Sequence, residues 1–350
     1  MRALTVEPGV PNSARIDEVP EPPAADGSVL VHSLALGICA TDREIVAGKS
    51  GVAPPGRQRL ILGHESLGSV EEAPADCGLK TGDLVVGIVR RPDPVPCPAC
   101  AVGEWDMCRN GEYSERGIKA RNGYGAERFR IEPQFTIKLD PVLGIHGVLL
   151  EPASIMAKAW EHSDYVGRRS KVWQPSTLLV TGAGPIGLLA ALMGAQRGLD
   201  VHVLDRNAGG EKESLVRELG GTYHAGGLEV VEHFRPDILM ECTGAPALIA
   251  GVLGRTAPAG IACLVGIAAP GHQYQLDIGL IDRTLVGDND LVLGSVNANR
   301  RHFEAAAEAL RRADPSWLGR LITRRVPLER WQEALQQKPG DIKVVIDFTL

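Results

Sequence analysis

Thr181-Gly182-Ala183-Gly184-Pro185-Ile186-Gly187 is the stretch whose reading decides the fold. The apolar run that begins at residue 178 leads into it at Thr181, and a helix-like apolar segment continues from it to Arg197. The glycines stand at the spacing G-x-G-x-x-G. The first serves a tight turn, the second close approach of a pyrophosphate, and the third packing of helix on strand. The pyrophosphate would sit at the start of helix 185–197, where free N–H groups and the dipole favour anions. Gly182, Gly184, Pro185, Ile186 and Gly187 are therefore candidate cofactor contacts, and Thr243, after the apolar run 238–242, joins them. A second strand, 201–204, runs into Asp205, the place for an acidic side chain on the adenosine ribose. The charge of Asp205 repels a 2′-phosphate and favours NAD. Arg206 beside it offers that phosphate a partner, so NADP stays open. A glycine-rich loop with a solvated aspartate is the competing reading, and the order strand, loop, helix, strand argues against it.

Working outward, residues 178–181, 201–204, 238–242 and 261–265 are short apolar strands separated by helix-like segments. This alternation predicts βαβ units and a parallel, doubly wound sheet. The first 150 residues read differently, as short strands at 29–36, 84–89 and 127–131 punctuated by Gly and Pro, which predicts a β-rich domain. The strand 343–348 fits either domain by pattern alone. At 350 residues, with 44% hydrophobic content, the chain is long enough for two cores. A net charge of −6 lacks the basic footprint of nucleic-acid binding. The apolar stretch 178–199 has the length of a membrane span, but its glycines, Pro185, Gln196 and Arg197 favour strand, turn and helix. The start of the chain shows no signal-peptide pattern, which predicts a reducing cytosol, so the seven cysteines are read as ligands or core residues rather than disulfides.

Cys39, His64, Glu65 and Glu151 offer a thiolate, an imidazole and two carboxylates. Zinc takes S, N and O donors, and a catalytic site keeps one position open. Each residue alone has a plainer reading, Cys39 as core and His64 as a hydrogen-bonded loop residue. Cys97-x2-Cys100-x7-Cys108 forms a second cluster.

Gly37-Ile38-Cys39-Ala40-Thr41-Asp42, Gly63-His64-Glu65-x-x-Gly68 and Gly82-Asp83-x-Val85 resemble the zinc-dependent medium-chain alcohol dehydrogenase superfamily over essentially the whole chain. Asp42-Arg43-Glu44, Glu115-Arg116-Gly117, Glu151-Pro152 and Gly294-Ser295-Val296-Asn297 are similar to its archaeal-type glucose dehydrogenases. The resemblance implies an α/β protein in three segments: a GroES-like β-rich catalytic domain (1–154), a Rossmann domain (155–296), and a segment (297–350) returning to the first. It implies Cys39, His64, Glu65 and Glu151 around a catalytic zinc, with Thr41 passing the proton of the substrate hydroxyl outward. By its own sequence pattern Thr41 also reads as a helix cap. The cysteine cluster resembles the structural zinc lobe of the family, with Pro94 where its first cysteine belongs. Either Asp93 supplies the fourth ligand or the three thiols are free. Glu115 and Asn297 match sugar contacts, while Ile155 stands where the family has a second acidic contact and Asp288-Asn289-Asp290 replaces a more basic stretch.

The expected activity is NAD(P)-dependent oxidation of the C1 hydroxyl of an aldose to the lactone, in a homodimer or homotetramer. A zinc polyol, amino-alcohol or other secondary-alcohol dehydrogenase is the alternative. A zinc-free quinone or enone reductase needs no Cys39–His64–Glu65 set. A non-catalytic redox sensor would keep the glycine loop without zinc ligands or Thr41.

Overall fold

Alternate burial along the first half of the strand Val29–Ile38 gives way to burial of every residue from Leu36 to Ile38. That strand is covered on both faces where it reaches the candidate metal residues. It is the spine of a seven-stranded sheet running Thr136–Lys138, Leu84–Gly87, Glu65–Glu72, Val29–Ile38, Lys343–Asp347, Ile322–Pro327, with Arg128–Ile131 also paired to Val29–Ile38. Its pairings are antiparallel except the last, Ile322–Pro327 with Lys343–Asp347. The final strand, which pattern alone left unassigned, thus lies beside residues 35–38.

The computed structural model describes residues 1–269, 271 and 273–350. They divide into two compact units, Met1–Ser154 with Asn297–Leu350, and Ile155–Val296. The second unit is built on a six-stranded parallel sheet in the order Thr222–Ala225, Asp200–Asp205, Thr177–Thr181, Ile238–Glu241, Ile261–Leu264, Leu291–Gly294. Strand order reverses between Thr177–Thr181 and Ile238–Glu241, the switch point at which doubly wound sheets bind ligands. Leu179, Leu204, Val231, Leu239, Val252 and Ala262 form a core cluster in this unit.

The apolar stretch after residue 177 resolves into the strand Thr177–Thr181 and the helix Pro185–Ala195. Among the described residues one helix, Pro141–Gly167, is long and apolar enough to cross a membrane, and 72% of its apolar window is buried inside the protein.

Two central strands of the second unit share one fastening. Asp237 Oδ2 accepts the Ser176 and Thr177 N–H groups at 2.8 and 2.9 Å and their hydroxyls at 3.0 and 2.9 Å. Burial works against the Asp237 charge, but these hydrogen bonds outweigh it and hold the carboxyl below its ordinary value. A depressed folded value means stability present above the unfolded value and lost as pH falls toward the folded one. Asp237→Ala is therefore expected to lower the thermal midpoint by about 2–4 °C at pH 7. The gap from the parent should close as pH drops below about 4. A gap independent of pH in thermal melts would refute the charge-based account.

Candidate active site

Cys39 ends the central strand and begins the helix Ala40–Val46. Its backbone is extended there, its Sγ accepts the Thr41 N–H at 3.2 Å, and Asp42 Oδ2 accepts the Cys39 N–H at 2.9 Å. The pattern is a reciprocal cap with a thiol in the place usually held by a hydroxyl. Cys39, not Thr41, is the helix cap. The Thr41 hydroxyl makes no hydrogen bond within the described residues and is free for another partner.

The fully buried Asp42 carboxylate also faces His64, with Oδ1 3.4 Å from Nδ1. His64 Nε2 then points at Cys39 Sγ, 3.1 Å away. Gly63, at φ 95°, supplies the turn that delivers the imidazole, a conformation that favours glycine. Burial disfavours charge on His64, but the Cys39 sulfur and Asp42 raise its pKa well above the usual value. Burial likewise disfavours the Asp42 carboxylate, and His64 brings its pKa below normal.

Glu65 lies opposite Gly37 across the Val29–Ile38 and Glu65–Glu72 pairing. A Cβ on Gly37 would overlap Glu65 Oε2, so glycine makes the space for that carboxylate. Lys343, from the last strand, places Nζ 2.6 Å from both Glu65 oxygens, and both side chains are buried. Ligand atoms of Cys39, His64 and Glu65 lie within 4.8 Å of one another. Glu151, in the first turn of the helix Leu150–Gly167, is buried outside that set. Its carboxyl is pushed up to about 7, chiefly by burial and, against the pull of His64, by Glu65. Sulfur, nitrogen and oxygen donors from Cys39, His64 and Glu65 converge here, a set that fits a zinc ion.

Glu115 and Asn297 also meet in this unit. Asn297 Nδ2 donates to Glu115 Oε1 at 2.9 Å. The Asn297 backbone is left-handed, at φ 60°, and its Oδ1 accepts the Ala298 N–H at 2.8 Å. Cys97, Cys100 and Cys108 gather with their sulfurs within 4.8 Å of one another. Asp93 is not in that group: its Oδ1 accepts the Val95 N–H at 2.9 Å and its Oδ2 accepts from Asn110. Cys108 Sγ faces Asn110 Oδ1 at 3.0 Å.

In the second unit, Gly182 has φ 92°, and a Cβ on Gly187 would overlap the Gly182 carbonyl. Gly184 caps the helix that Pro185 and Ile186 begin. Asp205 closes its strand, and its Oδ2 accepts the Ala183 N–H at 2.8 Å, bracing the glycine loop. Arg206 is exposed beside it. Thr243 donates through Oγ1 to Glu241 Oε1, which also accepts the Thr243 N–H at 2.8 Å. Asp290, in the acidic stretch 288–290, is occupied by the Thr256 hydroxyl at 2.8 Å and the Gly260 N–H at 3.1 Å.

Two residues that brace this site went unassigned from sequence, Asp42 and Lys343, although Asp42 stands three residues after Cys39 and Lys343 opens the apolar final strand. Asp42→Ala should weaken zinc binding about 10- to 100-fold, because it removes the group that orients His64. Competition with a chromophoric chelator reads this directly, and unchanged affinity would take Asp42 out of the site's support.

The alcohol dehydrogenase GroES-like domain profile matches residues 25–141, and the glucose dehydrogenase C-terminus profile matches residues 144–348. The chain is 41% identical to glucose 1-dehydrogenase of Thermoproteus tenax and 37% identical to that of Methanocella arvoryzae, covering 99% of each pair of chains. It superposes at a TM-score of 0.92 and 31% identity, over 100% of both chains, on Haloferax mediterranei glucose dehydrogenase solved with NADP, Zn and gluconolactone. Two domain profiles, full-length relatives and a matching fold agree: the chain belongs to the glucose dehydrogenase family of the zinc-dependent medium-chain dehydrogenases.

Proposed function

We propose that this protein oxidises the C1 hydroxyl of an aldose such as glucose to the lactone, using zinc and NAD(P). The observation that carries the reading is the convergence of Cys39, His64 and Glu65 donors within 4.8 Å. When bound, zinc supplies Lewis acidity that eases deprotonation of the substrate hydroxyl, and the nicotinamide supplies the hydride acceptor. Cys39, His64 and Glu65 would hold the metal, with Glu151 as a further oxygen ligand.

Asp42 orients His64, and Lys343 balances Glu65. The Thr41 hydroxyl, free among the described residues, takes the substrate proton at Oγ1 and hands it outward. Glu115 and Asn297 present a carboxylate and an amide to the sugar, which suit directional bonds to neighbouring hydroxyls. The glycine loop with Pro185 and Ile186 takes the pyrophosphate, and Asp205 the adenosine ribose. Thr243 is a further cofactor contact. Asp205 favours NAD, and exposed Arg206 leaves NADP usable. The thiols of Cys97, Cys100 and Cys108 would hold a structural zinc, its fourth ligand being Asp93 after a shift away from Val95 and Asn110.

Seven free thiols suit a reducing cytosol. Self-association is part of the reading as well. The strand Leu291–Gly294 is a sheet edge, and the nearby helix Ile278–Gly287 exposes Ile278, Leu280 and Val286. Light scattering of the purified protein should give a dimer or tetramer mass, and a monomer at micromolar concentration would contradict it.

An initial-rate panel tests the activity. Aldoses should turn over well above polyols and simple secondary alcohols, and the reverse order would replace the sugar assignment. In the same panel Asp205→Ala should raise KM for NAD about tenfold more than KM for NADP, since the loop it braces serves both cofactors. An unmoved NAD/NADP ratio would remove Asp205 from the ribose site.

A further inference from the structure

Glu115 is held more firmly than a substrate contact on a short strand requires. Arg90 lies directly opposite it where Arg90–Arg91 pairs antiparallel with Ser114–Arg116. Arg90 Nε donates to Glu115 Oε1 at 3.0 Å, and its Nη2 reaches the same oxygen at 2.9 Å. Asn297 Nδ2 is the third donor on Oε1. Glu115 Oε2 has no hydrogen-bond partner among the described residues. The side chains of Arg90 and Glu115 are 6% and 12% exposed, so water screens the pair little.

The guanidinium is itself fixed. Its Nη1 donates to the Asp106 carbonyl at 3.3 Å, and its Cζ lies 3.7 Å from the centroid of the Tyr113 ring. The Asp106 segment is tied in turn to the chain that carries Asn297, since Asn299 Nδ2 donates to Asp106 Oδ1 at 3.0 Å and to the Gly103 carbonyl at 2.7 Å.

We infer that Arg90 is a positioning residue for sugar recognition: it saturates Glu115 Oε1 and leaves Oε2 as the acceptor presented to a substrate hydroxyl. The inference rests on the proposed role of Glu115 as a sugar contact. Its chemical content is selectivity by hydrogen-bond polarity. A carboxylate oxygen only accepts, so Oε2 rewards a hydroxyl donor and gives nothing to a deoxy position. Asn297 is turned by the same network, with one N–H spent on Glu115 and Oδ1 engaged by Ala298. What remains to it for a substrate is its second N–H and its unused lone pair. Arg90 is suited to this task because its planar fork puts two donors on one oxygen while stacking on an aromatic ring. Lysine, a point charge on a flexible stem, does neither in the same way.

The test is a double-mutant cycle of Arg90→Lys and Glu115→Gln in the zinc-loaded enzyme, with glucose and NADP kinetics measured for all four proteins. Arg90→Lys should lower kcat/KM for glucose about 10- to 100-fold, mostly through KM, with KM for NADP unchanged. In the Glu115→Gln background the same change should cost less than about twofold, because two residues acting through one contact are not additive. An equal loss in both backgrounds would overturn the inference, since Arg90 would then act elsewhere. Normal glucose kinetics in Arg90→Lys beside impaired Glu115→Gln would also overturn it and leave the proposed function standing. Normal kinetics in Glu115→Gln would remove the sugar role of Glu115 and the inference together. If Arg90→Lys does not fold, Tyr113→Leu keeps the ion pair but takes away the ring under it. That variant should raise KM for glucose about two- to fivefold without moving KM for NADP, and no change would overturn the inference.

Discussion

A buried ammonium is the constraint on which the metal site depends. Lys343 Nζ sits 2.6 Å from both oxygens of Glu65, with neither side chain open to water. A carboxylate left alone at such a place is costly, and removing one partner of a buried pair typically costs roughly 3–5 kcal/mol. Burial opposes the Lys343 charge, yet Glu65 and the Cys39 sulfur raise its pKa above the ordinary lysine value. The pair joins residues far apart in sequence, so the last strand of the chain is part of the site's electrostatics. That is a physical reason for residues 297–350 to pack with the first unit.

Around this pair the site is assembled from backbone rules. Gly37 stands opposite Glu65 because nothing larger leaves room for the carboxylate. Asp42 serves helix and chemistry together: one oxygen receives the Cys39 N–H at the helix start, the other faces His64. One side chain thereby fixes the thiol and the imidazole with respect to each other. In the second unit Asp205 braces the glycine loop in a comparable way, by accepting the Ala183 N–H.

Local chemistry was the legible part of the sequence. The glycine spacing at 182–187 encodes a turn, a close approach and a helix contact within a few residues, and the structure has the expected strand, loop and helix there. Cys39, His64 and Glu65 were recognisable by donor type, and the fold brings their ligand atoms together. Partners made by long-range pairing were not legible. Nothing near Glu65 points to Lys343, and nothing near Glu115 points to Arg90, because register across a sheet decides both. Nearness in sequence is a weaker guide at Asp93, whose carboxylate does not face the three sulfurs in this structure. Its oxygens are taken by Val95 and Asn110 instead. Thr41 looked like a cap by residue type, but the chain turned into the helix two residues earlier, at Cys39.

The central claim is that this donor set supports zinc-dependent oxidation of a sugar. The most direct test is glucose oxidation by chelator-stripped protein, followed through formation of reduced nucleotide while zinc is returned in steps. The account predicts negligible rate without metal and recovery that saturates as zinc is restored. A metal-free protein that oxidises glucose at the full rate would contradict it.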